Sequence, residues 1–212
     1  MPKKITPSFV FIGNHPVLDF VNTKIAVDGK PAELLETFPN LLDWLYKMGL
    51  LKEKEMKLYK QSWDKNDQGV EVLEAARSLR STLLAIIQIC KSGDNGSIPQ
   101  AYLETINGLL HNQVITTKLM YTDNGLDIEK HVKIQTPTDI LAPIAQAAME
   151  LFSRNTFSLI KKCGNPECVL YFYDNSKNST RRWCSQKTCG NRMKVMAYLE
   201  RQRNELETGN ES

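Results

Sequence analysis

The chain has 212 residues, 42% of them hydrophobic and 24% charged, with a formal net charge of +3. That balance is the ordinary globular one and excludes wholesale disorder and collagen-like repeats. No apolar run approaches the roughly 18 residues a membrane-spanning helix needs, and Phe9-Val10-Phe11-Ile12 behind Lys3 and Lys4 is too short for a signal peptide. The expected setting is therefore cytoplasmic, with no membrane partner.

In chain order, Phe9–Thr23 alternates apolar and polar residues loosely and reads as a short strand or extended entry. Thr37-Phe38-Pro39 looks like a helix start, followed by Leu41, Leu42, Leu45 and Met48 at helical spacing, with Gly49 as the stop. Lys52–Asp64 reads as a charged helix carrying Met56, Tyr59 and Trp63 on one side. Val70–Cys90 keeps the 3.6-residue period from Val72 to Cys90, which makes Cys90 a small buried hydrophobe. After the polar loop Lys91–Ser97, Ser97 should cap a helix with Pro99 in its first turn and Leu103, Ile106, Leu109 and Leu110 facing a core. Val114–Tyr121 and Leu126–Ile134 flank Asp123-Asn124-Gly125, a hairpin signal because Asn-Gly accepts positive φ at both turn centres. Asp139–Ser153 returns to helix, with Pro143 near its first turn.

The remainder changes character. Lys161 to Arg203 holds ten basic and three acidic residues, so it carries +7 while the rest carries −4. An acidic body with a basic segment suggests a polyanionic partner for that segment, although a solvated positive face is the plainer reading. Four of the five cysteines lie here, at Cys163, Cys168, Cys184 and Cys189, spaced C-x4-C, fifteen residues, C-x4-C. In a reducing compartment such pairs point to metal more readily than to disulfides. About forty residues with few large apolar side chains cannot fold alone, and one tetrahedral Zn²⁺ on four thiolates supplies the missing free energy. Four thiolates leave no open coordination position, so the ion is structural; a redox-sensing thiol cluster is the alternative. Val169–Tyr173 reads as a strand, Asp174–Asn178 as a turn and Gly190–Arg203 as a helix with Val195, Met196 and Leu199 in its apolar stripe. Glu205–Ser212 should fray. The expected architecture is α+β: a mainly helical N-terminal domain with a β-hairpin over 1–156, and a small four-cysteine zinc finger over 157–212, treble-clef-like or ββα-like.

Cys163…Cys168, Arg181-Arg182-Trp183-Cys184-Ser185 and Cys189-Gly190-Asn191-Arg192 resemble the CGNR zinc-finger family, named for that last tetrapeptide. Leu18-Asp19-Phe20-Val21-Asn22-Thr23 is similar to the signature opening that family's N-terminal ABATE domain. The resemblance implies a bacterial, stress-related transcription regulator with a DNA-binding finger. The chain departs from the pattern at Val169-Leu170-Tyr171, where a tryptophan is common, and at Gln186, where methionine is frequent; neither change touches a ligand.

Zinc with four thiolates carries about −2, so Arg192, three residues past Cys189, is expected to neutralise the site. Arg181, Arg182, Lys187, Lys194 and Arg201 are the expected phosphate contacts, and Lys194, Arg201 or Gln202 could reach base edges. Trp183 fits the finger's own core better than a stacking platform. His15, Asp19 and Asn22 read as a cap or turn that could line a ligand pocket. With no P-loop, dinucleotide fingerprint or zinc-protease motif, an enzyme is not expected. The sequence thus suggests a regulator whose body senses a small-molecule effector or forms a homodimer and whose finger grips nucleic acid, DNA by preference. A protein-interaction module and a small-molecule binder are its rivals.

Overall fold

The computed structural model describes residues 8–27, 29–93, 98–111 and 114–209, excluding the side chains of 129–132 and 206–209. The chain folds into two compact units. One runs from Leu35 to Phe157; the other joins the residues up to Leu34 with those from Ser158 onward. The sequence reading divides the chain once, at 156/157; the compact units divide it at 34/35 and at 157/158.

The entry segment is a helix, α1 (Pro16–Val21), where an extended chain was expected. Pro16 presets the first helical φ, and His15 caps the turn by accepting from the Val17 N–H at 3.3 Å through Nδ1. Its apolar residues are buried all round, so neither period dominates the sequence pattern. A hairpin follows, β1 (Lys24–Val27) with β2 (Lys30–Glu33), pairing Val27 with Lys30 across an Asp28-Gly29 dipeptide. That dipeptide is a standard hairpin signal that the reading by periodicity overlooked.

The helical unit follows the sequence more closely. Its helices are α2 (Phe38–Lys47), α3 (Glu53–Trp63), α4 (Asp67–Ser92), α5 (Gln100–His111) and α6 (Ala142–Ser153). Thr37 and Asn40 form a reciprocal capping box at the start of α2, and Tyr59 stacks on Trp63 at 4.6 Å. The α4 face Val72, Ala76, Leu79, Leu83 and Ile87 is buried, each large side chain contributing roughly 1.5–3 kcal/mol. Cys90 is buried at the end of that face, and Ser97 lies outside the described residues. Of the α5 residues expected in the core, Ile106 is buried and Leu103 is exposed. A 3₁₀ turn, Pro137–Leu141, leads into α6 and places Pro143 in its first turn.

Strands β3 (Val114–Thr122) and β4 (Gly125–Lys133) form the expected hairpin. Thr122 pairs with Gly125, which puts Asp123 and Asn124 at the turn centre. Neither has a positive φ; Gly125 alone carries it, at 105°, so the turn differs from the Asn-Gly form expected.

In the second unit β5 (Ile160–Lys162) pairs antiparallel with β6 (Tyr171–Tyr173), and α7 (Asn191–Gly209) follows one turn of π-helix at Gln186–Gly190. The helix is described as far as Gly209, and the end of the Glu205–Ser212 segment expected to fray lies outside the described residues. Val195, Met196, Tyr198 and Leu199 are 47–60% exposed, so the stripe on α7 covers no core of the described chain. No described helix is long and apolar enough to cross a membrane.

Candidate metal centre

Each cysteine pair is set by a local turn. Cys163 follows β5, and the chain then reverses through Asn165, whose carbonyl accepts from the Cys168 N–H at 2.9 Å and whose side chain accepts from the Glu167 N–H at 3.1 Å. In the second pair Cys184 precedes the π turn and Cys189 lies within it. Residues five apart on an α-helix point about 140° away from each other. The wider turn, closed by the Gly190 N–H on the Ser185 carbonyl at 3.0 Å, brings Cys184 and Cys189 to one side. The C-x4-C spacing thus has a geometric cause.

The four sulfurs all lie within 4.8 Å of one another. Cys168 and Cys184 stand 3.8 Å apart, and Cys184 and Cys189 stand 3.6 Å apart. Zn–S bonds of about 2.3 Å in a tetrahedron require sulfurs about 3.8 Å apart. The cysteines form no disulfide. The donor set therefore fits one structural Zn²⁺, as expected, and the mainly helical fold with small antiparallel hairpins and a C-terminal cysteine cluster is the expected one at that level.

Without an ion the sulfurs compete for protons. Hydrogen bonding from Cys184 pulls the Cys168 thiol down to about 5, while donating that bond pushes Cys184 strongly up and burial pushes Cys163 up. Backbone N–H groups converge on the sulfurs: Cys184 and Asn165 on Cys163, the former at 3.3 Å, and Leu170 on Cys168. The Asn165 amide also approaches Cys189 Sγ at 3.5 Å. These donors, invisible to residue-type reasoning, stabilise negative sulfur and orient it.

Arg192 is exposed and pairs with exposed Glu167 at 3.3 Å across the first turn, so its guanidinium meets a carboxylate where a thiolate was expected. A Cβ at Gly190 would lie 2.7 Å from the end of the flexible Gln186 side chain, which would have to swing aside. Asn191 donates to the Lys187 carbonyl at 3.2 Å. Cys189, Asn191 and Arg192 of this tetrapeptide thus each have a local role.

The expected phosphate contacts divide. Arg181 is an internal strut: its guanidinium lies 4.2 Å from the centre of the Phe172 ring and donates to the carbonyls of Trp183 at 2.9 Å, Ile12 at 3.4 Å and Cys184. Arg182, Lys187, Lys194 and Arg201 are exposed. Arg182 lies over Trp183 at 5.1 Å, and Trp183 packs with Cys163, Phe172 and Cys184, as expected of a core residue.

His15, Asp19 and Asn22, considered as a pocket lining, instead hold backbone. His15 caps α1, and Asn22 donates to the Tyr171 carbonyl and accepts from the Tyr171 N–H, both at 2.8 Å, which ties α1 to β6. Asp19 accepts from the Gly13 N–H at 2.7 Å; burial pushes its carboxyl up, against the pull of the Gly13 and Ile12 N–H groups. Gly13 in turn accepts from the Tyr173 N–H at 2.7 Å, and a Cβ there would strike the Asp19 backbone. A cavity of about 620 Å³ lies in the helical unit, lined among others by Leu50, Tyr59, Met120, Asp127 and Ile140.

Two family models match the chain: one described as "CGNR zinc finger" over residues 160–202, the other, ABATE, as "Putative stress-induced transcription regulator" over residues 14–155. No curated protein matches it.

Proposed function

We propose, because the chain belongs to the ABATE family and carries a CGNR zinc finger, that it is a transcription regulator whose zinc-built module grips DNA through phosphate contacts. The observation that carries this reading is the pairing of a four-cysteine site with exposed cations on the elements it organises. The ion, when bound, supplies charge compensation and cross-linking. Four thiolates give it no position for substrate, so the site's role is architectural. Lys187 stands on the π turn, and Lys194 and Arg201, seven residues apart, fall on one face of α7. Arg182 completes the set. The helical unit supplies sensing or association, and the 620 Å³ cavity is the favoured place for a small effector.

Fluorescence anisotropy with a labelled duplex tests this. Four phosphate contacts predict a slope of log affinity on log salt of roughly −3 to −4. The triple variant Arg182→Glu, Lys187→Glu, Lys194→Glu should lower affinity at least tenfold and flatten that slope, and a chelator should abolish binding. Binding indifferent to salt and to these reversals would refute the reading. The exposed apolar stripe of α7 favours the second reading, a protein-docking finger. Duplex titrations that stay flat while Leu199→Lys releases a co-purifying protein would select it.

A further inference from the structure

We propose that the 620 Å³ cavity of the helical unit is the site of an organic cation, an ammonium-like positive centre flanked by apolar groups. Four stretches distant from the cysteine module build it: the residues leading into α3, α3 itself, the β3–β4 hairpin, and the 3₁₀ turn that runs into α6. Its volume falls within the roughly 300–1,000 Å³ of small-molecule sites. Leu50, Met120, Ile134 and Ile140 give it the mainly apolar wall that such sites share. Tyr59 adds an aromatic ring, held by its stack on Trp63.

Charge selects the occupant. Lys52 and Glu55 line the cavity with opposite signs and offset each other. Asp127 and Asp139 have no such counterpart in the lining, so three carboxylates and one ammonium leave a formal −2 among the described lining residues. The bonds these two aspartates make are to neutral donors. Asp127 accepts from the Ile128 N–H at 2.8 Å. Asp139 accepts from the Gln135 and Thr136 N–H groups at 2.7 and 2.8 Å and from the Thr136 hydroxyl at 2.8 Å. Such donors fix the carboxylates without cancelling their charge. A carboxylate has about four acceptor positions, so each keeps capacity for a further donor.

An anion in this cavity meets like charge, and a neutral apolar molecule strips water from two carboxylates and gives them no partner. An organic cation supplies the missing sign. Its apolar flanks displace water from the leucine and isoleucine side chains, and the Tyr59 ring favours a cation over any other charge. This inference rests on the sensing role proposed for the helical unit and names the chemical class of the effector; it does not depend on DNA binding.

Isothermal titration calorimetry of the zinc-loaded full chain, with tetraphenylphosphonium and separately with tetraphenylborate, is the test, because the two ions share their shape and differ in sign. The phosphonium should bind at one site, at least about tenfold more tightly than the borate. Asp127→Lys should weaken phosphonium binding by at least about tenfold, whereas Asp123→Lys, in the same hairpin but outside the lining, should change it less than about twofold. Met120→Trp, which fills the cavity without altering its charge, should weaken it as well, with helix content and zinc stoichiometry unchanged. Phosphonium binding absent into the millimolar range overturns the proposal. So does borate bound equally well and equally blocked by Met120→Trp, or phosphonium binding that survives both Asp127→Lys and Met120→Trp. Anisotropy with the labelled duplex separates this site from the reading it rests on. A phosphonium site without effect on duplex affinity leaves the cation site standing and removes the sensing role. Ordinary duplex binding by a chain that ignores the phosphonium sinks the cation site alone.

Discussion

At the scale of single residues, chemistry-bearing side chains in this protein serve backbone first. Asn22 satisfies both polar groups of Tyr171, and all of these groups are buried. Asn22→Ala leaves a buried N–H and a buried carbonyl unpaired and should cost about 2–4 kcal/mol in urea unfolding. Asn22→Asp keeps the acceptor but turns an oxygen toward the carbonyl, so it should be no better than alanine. An Asn22→Ala chain of wild-type stability would contradict this role. Arg181 is similar: its fork joins three carbonyls while its plane covers Phe172. Lysine cannot reproduce that fork. Arg181→Lys should lower the melting temperature and speed zinc release to a chelator, yet leave the salt dependence of duplex binding unchanged.

At the scale of elements, the loop from Asp174 to Arg181 shows how a buried charge fixes a connection. The Asp174 carboxylate accepts from Lys161 Nζ at 2.5 Å, the Arg181 N–H at 2.9 Å, and the Ser176 N–H and hydroxyl at 3.0 and 2.6 Å. Burial alone would raise its pKa, but these bonds, led by Lys161, outweigh it and hold the carboxyl well below its usual range. A folded pKa below the unfolded one means that the unfolded chain binds the proton first. The linked stability is therefore whole above about pH 4, the ordinary carboxylate value, and is lost as pH falls further. The stability difference between wild type and Asp174→Asn should be constant near neutrality and shrink below pH 4. Thiolate protonation, common to both chains, cancels in that difference. A gap that widens on acidification would reverse the assignment.

At the scale of the whole molecule, the compact units do not follow the order of the chain. The Leu18–Thr23 signature falls within the ABATE match yet folds with the cysteine module. Removing the ion should therefore loosen both ends of the sequence together. In hydrogen exchange, a chelator should strip protection from α1, β1 and β2 along with residues 160–190, while the α4 amides keep theirs. Retained protection in α1 after zinc loss would show that the entry segment stands on its own. The charge split changes meaning at this scale too. Of the ten basic residues between Lys161 and Arg203, Lys161 and Arg192 meet acids of the same segment and Arg181 is internal. The surface available to a polyanion is smaller than the count of basic residues suggests.

Sequence by itself determined what depends on neighbours along the chain. The helices from Phe38 to Ser92 follow from caps, proline and a 3.6-residue apolar period. The four metal ligands follow from paired cysteines in a segment too small to fold without an ion. Tertiary structure alone decided what depends on distant partners. Whether Asn22 lines a pocket or zips to Tyr171, 149 residues away, is set by which backbone groups arrive unpaired beside it. Whether Arg181 faces solvent or Phe172 is settled the same way. Residue type fixes which bonds a side chain can make; packing fixes which of them it makes, because a buried polar group must be satisfied by whatever the fold brings within reach.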